Sequence, residues 1–560
     1  MKIFLAQQNY HIGNFEANTN KIITAIRAAK EQGGDLIIFS ELAVCGYPPR
    51  DFLEFDDFIE QSLQAIDKIK EECDTIAAIV GAPSRNPRTL GKDLFNSAFF
   101  LHEKKIKDSI QKTLLPTYDI FDENRYFEPA YDWGTIDFKG KTIALTICED
   151  IWNLGDNPLY RVCPMDILIK QQPDIMVNIS ASPFDYAQAE ERLGIVKRNV
   201  RKYKIPMIYC NTVGSQTEIV FDGGSVVMDA NQNLILELPY FKEELRSFEL
   251  NDDNSFDLPV IKEAKEIPYS DPMPAELDSW LDIHEIYDAL VMGIKDYFDK
   301  MGFTKAIIAS SGGIDSAVTL TLACHALGAE NVTALLMPSQ FSTSHSVTDA
   351  EHLSKNLGNP YETIAIKDIF EQFQEHLKPV FKELPFDVAE ENLQSRIRGT
   401  LVMAMSNKFG SILLNTSNKS ELATGYGTLY GDMAGGLGVL GDLYKVQVYA
   451  LAKYINRNEE IIPNHIINKA PSAELRPDQK DSDSLPDYAI LDTILYQYIE
   501  CRKGPKDIVA MGHDKDLVSR ILRMVNMNEY KRNQFCPIIR VSPKAFGVGR
   551  RVPIVGKYLS

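Results

Sequence analysis

The sequence lacks long apolar runs, paired cysteines and an excess of positive charge. Its longest uninterrupted apolar stretches, such as residues 76–83, are far shorter than the ~20 residues that a membrane-spanning helix needs. The eight cysteines never approach the Cys-x-x-Cys spacing of zinc sites or redox dithiols, which argues against a metal or disulfide framework and predicts that most are small buried side chains. The first apolar stretch turns polar at Gln7, too early for a secretory signal, so we expect a cytoplasmic protein without a membrane partner.

Positive charge is scarce overall but concentrated near the end of the sequence. Lys and Arg sum to 59 against 78 Asp and Glu, and the net charge of −19 repels phosphate backbones, which argues against nucleic acid as a partner. Residues 530–560 nevertheless contain seven basic residues and no acid. This basic end segment is interpreted either as a solvated tail or subunit contact, or as a local anion site.

A length of 560 residues predicts about two to four domains. Residues 243–276 are rich in acids, contain four prolines and show little apolar periodicity, which is typical of a linker. We therefore expect one domain over residues 1–250, a linker over 251–280 and a second domain over 281–560. Neither repeats nor low-complexity tracts appear on either side, so the halves are expected to be different folds.

The first half alternates strand-like and helical patterns and contains short hairpin signals. A helix is predicted over residues 16–32, and strands over 2–7, 36–39, 76–80, 97–101, 143–147, 175–179, 207–210 and 225–228. Hairpins are predicted at 103–105 and 231–233, which requires partly antiparallel pairing. A simple doubly wound sheet therefore does not fit this half, and a many-stranded α/β domain does.

The second half alternates more regularly. Strands are predicted at 306–309, 332–337, 363–366 and 412–414, with helices from Asp315, near 347–357 and over 389–407. Regular β-then-α order predicts a parallel sheet covered on both faces. Ligands of such sheets bind beyond the carboxyl ends of the strands, which is where we expect the chemistry of this half.

Three reactive side chains follow strand-like runs in the first half: Glu41, Lys112 and Cys148. Each alone has an ordinary explanation, as a solvated loop carboxylate, a surface lysine and a core cysteine. Together they suit attack on an amide. A thiol at a strand-to-helix turn lies near amides that favour the thiolate. A carboxylate can take the thiol proton and later activate water, and an ammonium can stabilise the oxyanion.

The sequence contexts of these three residues strengthen that hypothesis. Glu41 lies in Ser-Glu-Leu-x-x-x-Gly-Tyr and Cys148 in Cys-Glu-Asp-x-Trp. In these motifs the first half resembles the carbon–nitrogen hydrolase (nitrilase) superfamily, whose members use a Glu, Lys and Cys triad in this chain order. The resemblance covers roughly residues 1–250 and implies a four-layer αββα sandwich.

The same resemblance places Tyr118 and Ser182 on a glutamine substrate. Many relatives have a lysine six residues after this serine, where the present sequence has Gln188. How the glutamine carboxylate is held is therefore open, and nearby Arg192 is one candidate. Glu128 stands where many relatives have an additional site glutamate, and a structural salt-bridge acid is the alternative.

The second half contains a loop of the type that binds phosphate. Ser-Ser-Gly-Gly-Ile-Asp-Ser at 310–316 directly follows a predicted strand and precedes a predicted helix. Two glycines let backbone N–H groups approach an anion closely, the helix N-terminus adds positive potential, and Asp315 would hold Mg²⁺. The alternative is a glycine-rich turn with a capping Asp or Ser. Residues 134–142 have five rather than four residues before Gly-Lys-Thr, so they predict a hairpin and not a P-loop.

The motif Ser-Gly-Gly-Ile-Asp-Ser resembles the loop of the N-type ATP pyrophosphatases, which cleave ATP between the α and β phosphates to make an adenylate. Further motifs narrow the match: Asn-Leu-Gln-Ser-Arg-Ile-Arg at 392–398, Asn-Thr-Ser-Asn-Lys-Ser-Glu at 415–421, Gly-Asp-Met-Ala-Gly-Gly at 431–436 and Leu-Tyr-Lys-Val-Gln at 443–447. With the basic end segment they resemble NAD synthetase. Nearly the whole sequence is thus similar to the glutamine-dependent NAD synthetases, which implies a doubly wound parallel-sheet, adenine nucleotide alpha hydrolase-like second domain.

This resemblance implies a set of binding residues. It puts Ser311, Gly312, Gly313 and Ser316 on the ATP phosphates, Asp315 and Glu421 on Mg²⁺, Thr416, Lys445 and Ser472 on ATP, and Asn392, Glu421 and Lys531 beside deamido-NAD. Arg396 and Arg398 are further candidates, with a solvated helix surface as the alternative. Residues 471–487, acidic and bounded by proline, are either a lid or an exposed loop.

The implied activity is a two-site reaction in one chain. Glutamine is hydrolysed by the first domain, and its ammonia amidates deamido-NAD that the second domain has adenylated with ATP, giving NAD, AMP, pyrophosphate and glutamate. Family resemblance also implies a homo-oligomer. Two alternatives remain at this stage: a tRNA-modifying or nucleotide-aminating relative, and a non-catalytic glutamine or nucleotide sensor.

Overall fold

The computed structural model describes residues 1–155, 158–186, 188–263, 277, 280–472, 474–477, 479, 481 and 485–559. The chain divides into two units, Met1–Tyr269 and Ser270–Ser560. Within the described residues, every helix is too short or too polar to span a membrane.

The first unit contains two large sheets and four helices among its described residues. Its strands are β1 (Lys2–Gln7), β2 (Leu36–Ile38), β3 (Ala77–Arg85), β4 (Leu94–His102), β5 (Lys105–Gln111), β6 (Ile136–Phe138), β7 (Lys141–Ile147), β8 (Ile175–Ser180), β9 (Met207–Asn211), β10 (Val213–Gln216), β11 (Ile219–Asp222), β12 (Val226–Met228), β13 (Asn233–Glu237), β14 (Glu244–Glu249) and β15 (Lys262–Glu263). Its helices are α1 (Phe15–Glu31), α2 (Asp56–Glu72), α3 (Pro164–Leu168) and α4 (Gln188–Tyr203).

The two large sheets pack face to face between layers of helices. One has the strand order β14-β1-β2-β3-β4-β5 and the other β15-β13-β12-β9-β8-β7-β6. Alternate residues of β1 point to opposite sides, as strand geometry requires. Ile3 and Leu5 join a core shared with Leu145 and Val177 of the second sheet. Phe4 and Ala6 instead pack with residues of α1 and α2. Helices α3 and α4 cover the outer face of the second sheet. The predicted αββα sandwich is therefore confirmed.

The predicted antiparallel turns are present, but the predicted linker begins too early. Strands β4 and β5 pair across residues 103–104, and β12 pairs antiparallel with β13. Residues 134–142 form the β6–β7 hairpin rather than a phosphate loop. Strand β14 lies inside the linker-like segment 243–276 but pairs with β1, and β15 lies inside the expected linker 251–280 but pairs with β13. The first unit therefore extends beyond residue 250. Much of the remaining segment, residues 264–276 and 278–279, lies outside the described residues.

The second unit alternates strands and helices. Its strands are β16 (Ala306–Ala309), β17 (Val332–Leu336), β18 (Tyr361–Thr363), β19 (Ile412–Asn415) and β20 (Leu437–Gly438). Its helices are α5 (Trp280–Met301), α6 (Ile314–Leu327), α7 (Ser344–Leu357), α8 (Lys367–Phe381), α9 (Val388–Phe409), α10 (Lys419–Thr424), α11 (Lys445–Ile455), α12 (Asn464–Asn468), α13 (Tyr488–Ile499), α14 (Pro505–Ala510), α15 (Lys515–Met527) and α16 (Glu529–Arg532).

The sheet of this unit is parallel and buried on both faces. Its order in the described residues is β18-β17-β16-β19-β20, with parallel pairing throughout. Ile307 packs with residues of α8 and α9, and Ile308 on the opposite side of β16 is also buried. Chain order reverses at β16, since β17 and β18 lie on one side and β19 and β20 on the other. The loops after β16 and β19 therefore open a crevice, where ligands of doubly wound sheets bind.

Candidate active sites

Glu41 and Lys112 meet in the interior of the first unit. Glu41 follows β2 and Lys112 follows β5, and both side chains are fully buried. The Lys112 ammonium donates to Glu41 Oε1 and to Glu123 Oε1, each at 2.8 Å. Burial lowers the pKa of Lys112, but Glu123 and Glu41 outweigh it and hold that pKa well above its usual value. Lys112 is therefore a fixed positive charge.

Both carboxylates around Lys112 are held by further donors. Asn96 Nδ2 donates to Glu41 Oε1 at 2.7 Å, and the Ala181 amide donates to Glu41 Oε2 at 2.9 Å. The Tyr47 hydroxyl donates to Glu123 Oε1 at 2.8 Å. Since each carboxylate has more than one partner, its orientation is set before any substrate binds.

The second glutamate of this cluster is Glu123, which the sequence analysis missed. Glu128, which the sequence left open between an additional site glutamate and a structural acid, accepts from the Lys92 amide at 3.0 Å and the Tyr131 hydroxyl at 2.8 Å. These contacts favour the structural alternative. No pattern marks Glu123, which lies on a short irregular turn eleven residues after Lys112.

Cys148 is the first residue of a short 3₁₀ turn at the end of β7. Its φ of 44° is in the left-handed region, which is uncommon for a residue with a side chain and frequent at functional turns. The residue is only 5% exposed. Burial and the charge of Glu41 raise the pKa of the Cys148 thiol well above its usual value, and Lys112 offsets this only in part. Burial and Glu41 thus favour the neutral thiol, contrary to the setting expected to favour a thiolate, and attack by the sulfur needs a base.

Of the predicted glutamine-binding residues, Tyr118 contacts the Cys148 turn and Ser182 contacts the end of β9. The Tyr118 hydroxyl, on a side chain that is 43% exposed, donates to both oxygens of Glu149 at 2.9 and 3.1 Å. Burial raises the pKa of Glu149 to about 7. Ser182 is buried, and its amide donates to Asn211 at 2.9 Å. Glu149 follows Cys148 directly and was not selected from the sequence.

Arg192 does not offer a free guanidinium to a glutamine carboxylate. Its two terminal nitrogens donate to Asp222 at 3.0 and 2.6 Å, and both side chains are buried. Asp222 thus neutralises the charge of Arg192. The prediction that Arg192 holds the glutamine carboxylate is wrong. Gln188 is the first residue of α4, and its amide donates to the Asp185 carbonyl.

The second site is a cavity of about 270 Å³ at the carboxyl ends of β16 and β19. It brings together most of the residues predicted to bind ATP. Those in its wall are Ser311, Gly313, Asp315, Ser316, Thr416, Glu421, Lys445 and Ser472, joined by Arg398. Arg396 instead donates to the Leu429 carbonyl.

The stretch 471–487 is described only in part, so its interpretation as a lid or a loop stays a prediction.

The loop before α6 is shaped by close contacts. Gly312 has φ 76°, and a Cβ on it would lie 2.2 Å from the Ser346 carbonyl oxygen. The Ser316 hydroxyl donates to the Gly313 carbonyl at 2.9 Å, and the Gly313 amide donates to Ser311 Oγ at 3.2 Å. The turn is therefore fixed by its own side chains at the N-terminus of α6, an arrangement that suits phosphate.

Lys445 lies between two carboxylates at this cavity. Its ammonium contacts Asp315 Oδ2 at 2.5 Å and Glu421 Oε1 at 3.3 Å. Asn418 Nδ2 donates to the other Asp315 oxygen at 2.9 Å. Burial and the charge of Asp315 raise the pKa of Glu421 to about 8. The carboxylates of Asp315 and Glu421 and the ammonium of Lys445 thus form one charged cluster beside the phosphate-type loop.

Asp492 fixes the backbone next to Lys445. It accepts from the Ser420 hydroxyl at 2.5 Å and from the Val446 amide at 3.0 Å, and the Lys445 amide donates to Ser420 Oγ at 3.0 Å. One fully buried carboxylate therefore joins the helix of Glu421 to the start of the helix of Lys445.

The remaining predicted residues converge on the segment 425–428. Lys531 donates to the carbonyls of Gly425 and Gly427, each at 2.8 Å, and Asn392 accepts from the Thr428 hydroxyl at 2.7 Å. Lys531 also shares a small cavity with Glu421. Asn392 and Lys531 are absent from the wall of the larger cavity.

Comparison with known proteins decides the family. The carbon–nitrogen hydrolase family matches residues 2–254 and the NAD synthase family matches residues 286–535. A glutamine-dependent NAD⁺ synthetase of Synechocystis is 42% identical over 559 residues, covering 99% of this chain and 98% of that protein. One of Thermotoga maritima is 37% identical and covers 100% and 99%.

The chain belongs to the glutamine-dependent NAD⁺ synthetase family. A solved family structure from Acinetobacter baumannii, in complex with ADP, superposes with a TM-score of 0.76 at 36% identity, covering 100% of this chain and 99% of that one. A member from Cytophaga hutchinsonii has a TM-score of 0.81 at 19% identity, which supports the fold.

For a chain of this family, Glu123→Gln is expected to lower glutamine-supported NAD formation about 100-fold, the usual size for one preorganised electrostatic group. The substitution removes one of the two carboxylate charges that contact Lys112. It also places an amide N–H beside Asn96 Nδ2, which lies 3.4 Å from Glu123 Oε2. Steady-state rates with glutamine measure the effect. Glu128→Gln is the matched control and should stay within about twofold of wild type. Equal losses in both variants would contradict the assignment of Glu123.

A second prediction concerns the phosphate-type loop of the NAD⁺ synthetase unit. Gly312→Ala forces a Cβ against the Ser346 carbonyl, in addition to the ~1–2 kcal/mol cost of a left-handed alanine. ATP-dependent NAD formation should fall at least about tenfold, since shifting a positioned group by about 1 Å can cost about 100-fold. Gly358 has a nearly identical φ of 75° with open space around it, so Gly358→Ala carries the backbone cost alone. If both variants keep full activity, the loop does not position phosphate.

Proposed function

We propose that this chain makes NAD by hydrolysing glutamine in its first unit and amidating ATP-activated deamido-NAD in its second. The observation behind this proposal is that one chain holds both a buried Glu41, Lys112 and Cys148 cluster and an Asp315, Lys445 and Glu421 cluster beside a phosphate-type loop. Family membership over the full length supports the pairing of these two chemistries.

The glutaminase step uses the buried thiol. Glu41 takes the Cys148 proton as sulfur attacks the side-chain amide carbon of glutamine, and Lys112 stabilises the oxyanion. The proton passes to the departing nitrogen, so ammonia leaves and a glutamyl thioester remains. Water activated by Glu41 then attacks the thioester, releasing glutamate and restoring the thiol. Tyr118, Ser182 and Glu149 are proposed to position the glutamine.

The synthetase step uses the loop at the start of α6. Ser311, Gly312, Gly313 and Ser316 are proposed to bind the ATP phosphates, with Thr416, Lys445 and Ser472 completing the nucleotide site. A family member bound to ADP supports an adenine nucleotide in this cavity. The nicotinate carboxylate of deamido-NAD, beside Asn392, Glu421 and Lys531, attacks the α-phosphate, and pyrophosphate departs. Ammonia then displaces AMP from the acyl adenylate, which yields the amide of NAD.

Asp315 and Glu421 have the donor chemistry for Mg²⁺. Carboxylate oxygens are its preferred ligands, and one or two of them together with substrate phosphates make a usual nucleotide site. Their ion pairs with the Lys445 ammonium are consistent with a position of negative potential that would attract a metal cation. When bound, Mg²⁺ would neutralise charge that develops on the departing pyrophosphate.

A product assay tests the function. Purified protein given glutamine, ATP, Mg²⁺ and deamido-NAD should form NAD, AMP and pyrophosphate in equal amounts, with glutamate at least equal to NAD. Formation of glutamate without new NAD would overturn the proposal. That result would favour a glutamine or nucleotide sensor or a tRNA-related enzyme. The intact residue clusters of both sites argue against these two alternatives. A homo-oligomer and a cytoplasmic location remain part of the proposal, to be measured by light scattering and cell fractionation.

A further inference from the structure

Asp150 connects the two chain segments that hold the catalytic lysine and cysteine. It lies two residues after Cys148, on the same 3₁₀ turn, and is only 2% exposed. One oxygen, Oδ1, accepts from the amides of Thr113 and Leu114 at 3.0 and 2.8 Å. The other, Oδ2, accepts from the Ile147 amide at 3.1 Å. One side chain thus fixes the residue before Cys148 and the two residues after Lys112.

These contacts differ from ordinary capping. The bond to Ile147 caps the turn that begins at Cys148, as expected for an acid in the first turn. The two bonds from Thr113 and Leu114 reach a segment 36 or 37 positions away in the sequence. The amide of Lys112 itself still donates to the Asn96 carbonyl of β4 at 2.8 Å, so Asp150 holds the chain where it continues beyond the sheet.

The backbone of Lys112 is fixed by Asn96 and Ala130 at residue 112 and by Asp150 at the two residues that follow, so a shift of residues 113–114 would move the base of the Lys112 side chain. Cys148 in turn has a left-handed backbone, which persists only where its surroundings fix it. A shift of either segment changes the placement of the thiol relative to the cluster of Lys112 and Glu41.

We propose that Asp150 is a positioning residue that sets the Cys148 sulfur and the Lys112 ammonium in register for attack on glutamine. It acts through backbone amides. The inference rests on the proposed glutaminase function and extends it to a residue outside the Glu, Lys and Cys triad. Burial raises the pKa of Asp150 to about 7, whereas the three amide donors favour its charged carboxylate.

Asp150→Asn tests the proposal, because an amide of equal size cannot accept on both sides. If its oxygen keeps Thr113 and Leu114, its NH₂ group faces the Ile147 amide, and the turn or the lysine segment must move. We expect the glutamine-supported kcat to fall about 10- to 100-fold, the range for a displacement of about 1 Å. The KM for glutamine should stay within about threefold, and ammonia-supported NAD formation within about twofold.

Asp174→Asn is the matched control. Asp174 also accepts from an amide of β7, that of Thr142 at 2.8 Å, but at the opposite end of the strand from Cys148. This variant should keep the wild-type kcat with glutamine. Labelling with a chloroketone analogue of glutamine adds a readout that a folding defect would not give. In Asp150→Asn every Cys148 should react, with a rate constant lowered in step with kcat.

Several results would overturn the positioning role. These are a kcat within twofold of wild type, labelling of only a fraction of chains at the wild-type rate, loss of the ammonia reaction as well, or a variant that does not fold while Asp174→Asn does. Failure of the proposed function looks different, since wild-type protein would then make no NAD from glutamine or from ammonia.

Discussion

Cys148→Ala should reduce glutamine-supported NAD formation by at least about 1,000-fold, since loss of a covalent nucleophile removes the whole acyl-transfer route. Ammonia-supported formation should stay within about twofold of wild type, because the phosphate-type loop and the Asp315 cluster lie in the other unit. Initial rates of NAD formation with saturating glutamine and with ammonium chloride at alkaline pH measure both effects on the same preparation.

The control for this variant is another buried thiol of the first unit. Cys73, at the end of α2, is fully buried, and burial raises its pKa to about 12. Cys73→Ala removes a similar volume and should keep both reactions. If Cys148→Ala also abolished the ammonia reaction, the two reactions would not be separable and the assignment of Cys148 to glutamine alone would be wrong.

Asp315→Ala should lower NAD formation from glutamine and from ammonia alike, by at least about 100-fold, the usual size for a missing electrostatic group at a phosphoryl-transfer site. Asp315 contacts Lys445 at 2.5 Å and Asn418 at 2.9 Å, so its removal frees the lysine and deletes half of the proposed Mg²⁺ ligands. Pyrophosphate release measured with deamido-NAD, ATP and ammonia reports the loss.

Asp368→Ala provides the comparison. Asp368 is the second residue of α8, as Asp315 is of α6, but its side chain is exposed and lies outside the wall of the cavity. Equal activity of Asp315→Ala and Asp368→Ala would refute a role of Asp315 in nucleotide chemistry. A loss confined to the glutamine reaction would refute its placement in the synthetase step.

The site residues that follow strands could be identified from the sequence. The site residues whose positions depend on contacts between distant parts of the chain could not. Glu41, Lys112 and Cys148 each follow a strand, and apolar runs mark strands well. Glu123 reaches this centre through a hydrogen bond from Lys112, which no local pattern encodes. Asp150 stands in the motif that contains Cys148, but the motif does not reveal its bonds to the distant amides of Thr113 and Leu114.

The errors in the fold prediction have a similar origin. Strand β14 was assigned to the linker because it is a largely exposed edge strand with one buried residue, Phe248, so apolar alternation is weak. Strand β18 begins at Tyr361, two residues before its predicted start, since it too is an edge strand with exposed side chains. Interior strands such as β8 and β16 were predicted almost to the residue.

The burial of Cys148 also bears on chemical damage between turnovers. Peroxides react with the thiolate and need access to sulfur, whereas Cys148 is only 5% exposed and burial raises the pKa of its thiol well above the usual value. A thiol that transfers its proton to Glu41 only when substrate is bound is expected to be protected from oxidation between turnovers. The same burial that makes a base necessary for catalysis is therefore expected to slow oxidation of Cys148 in the resting protein.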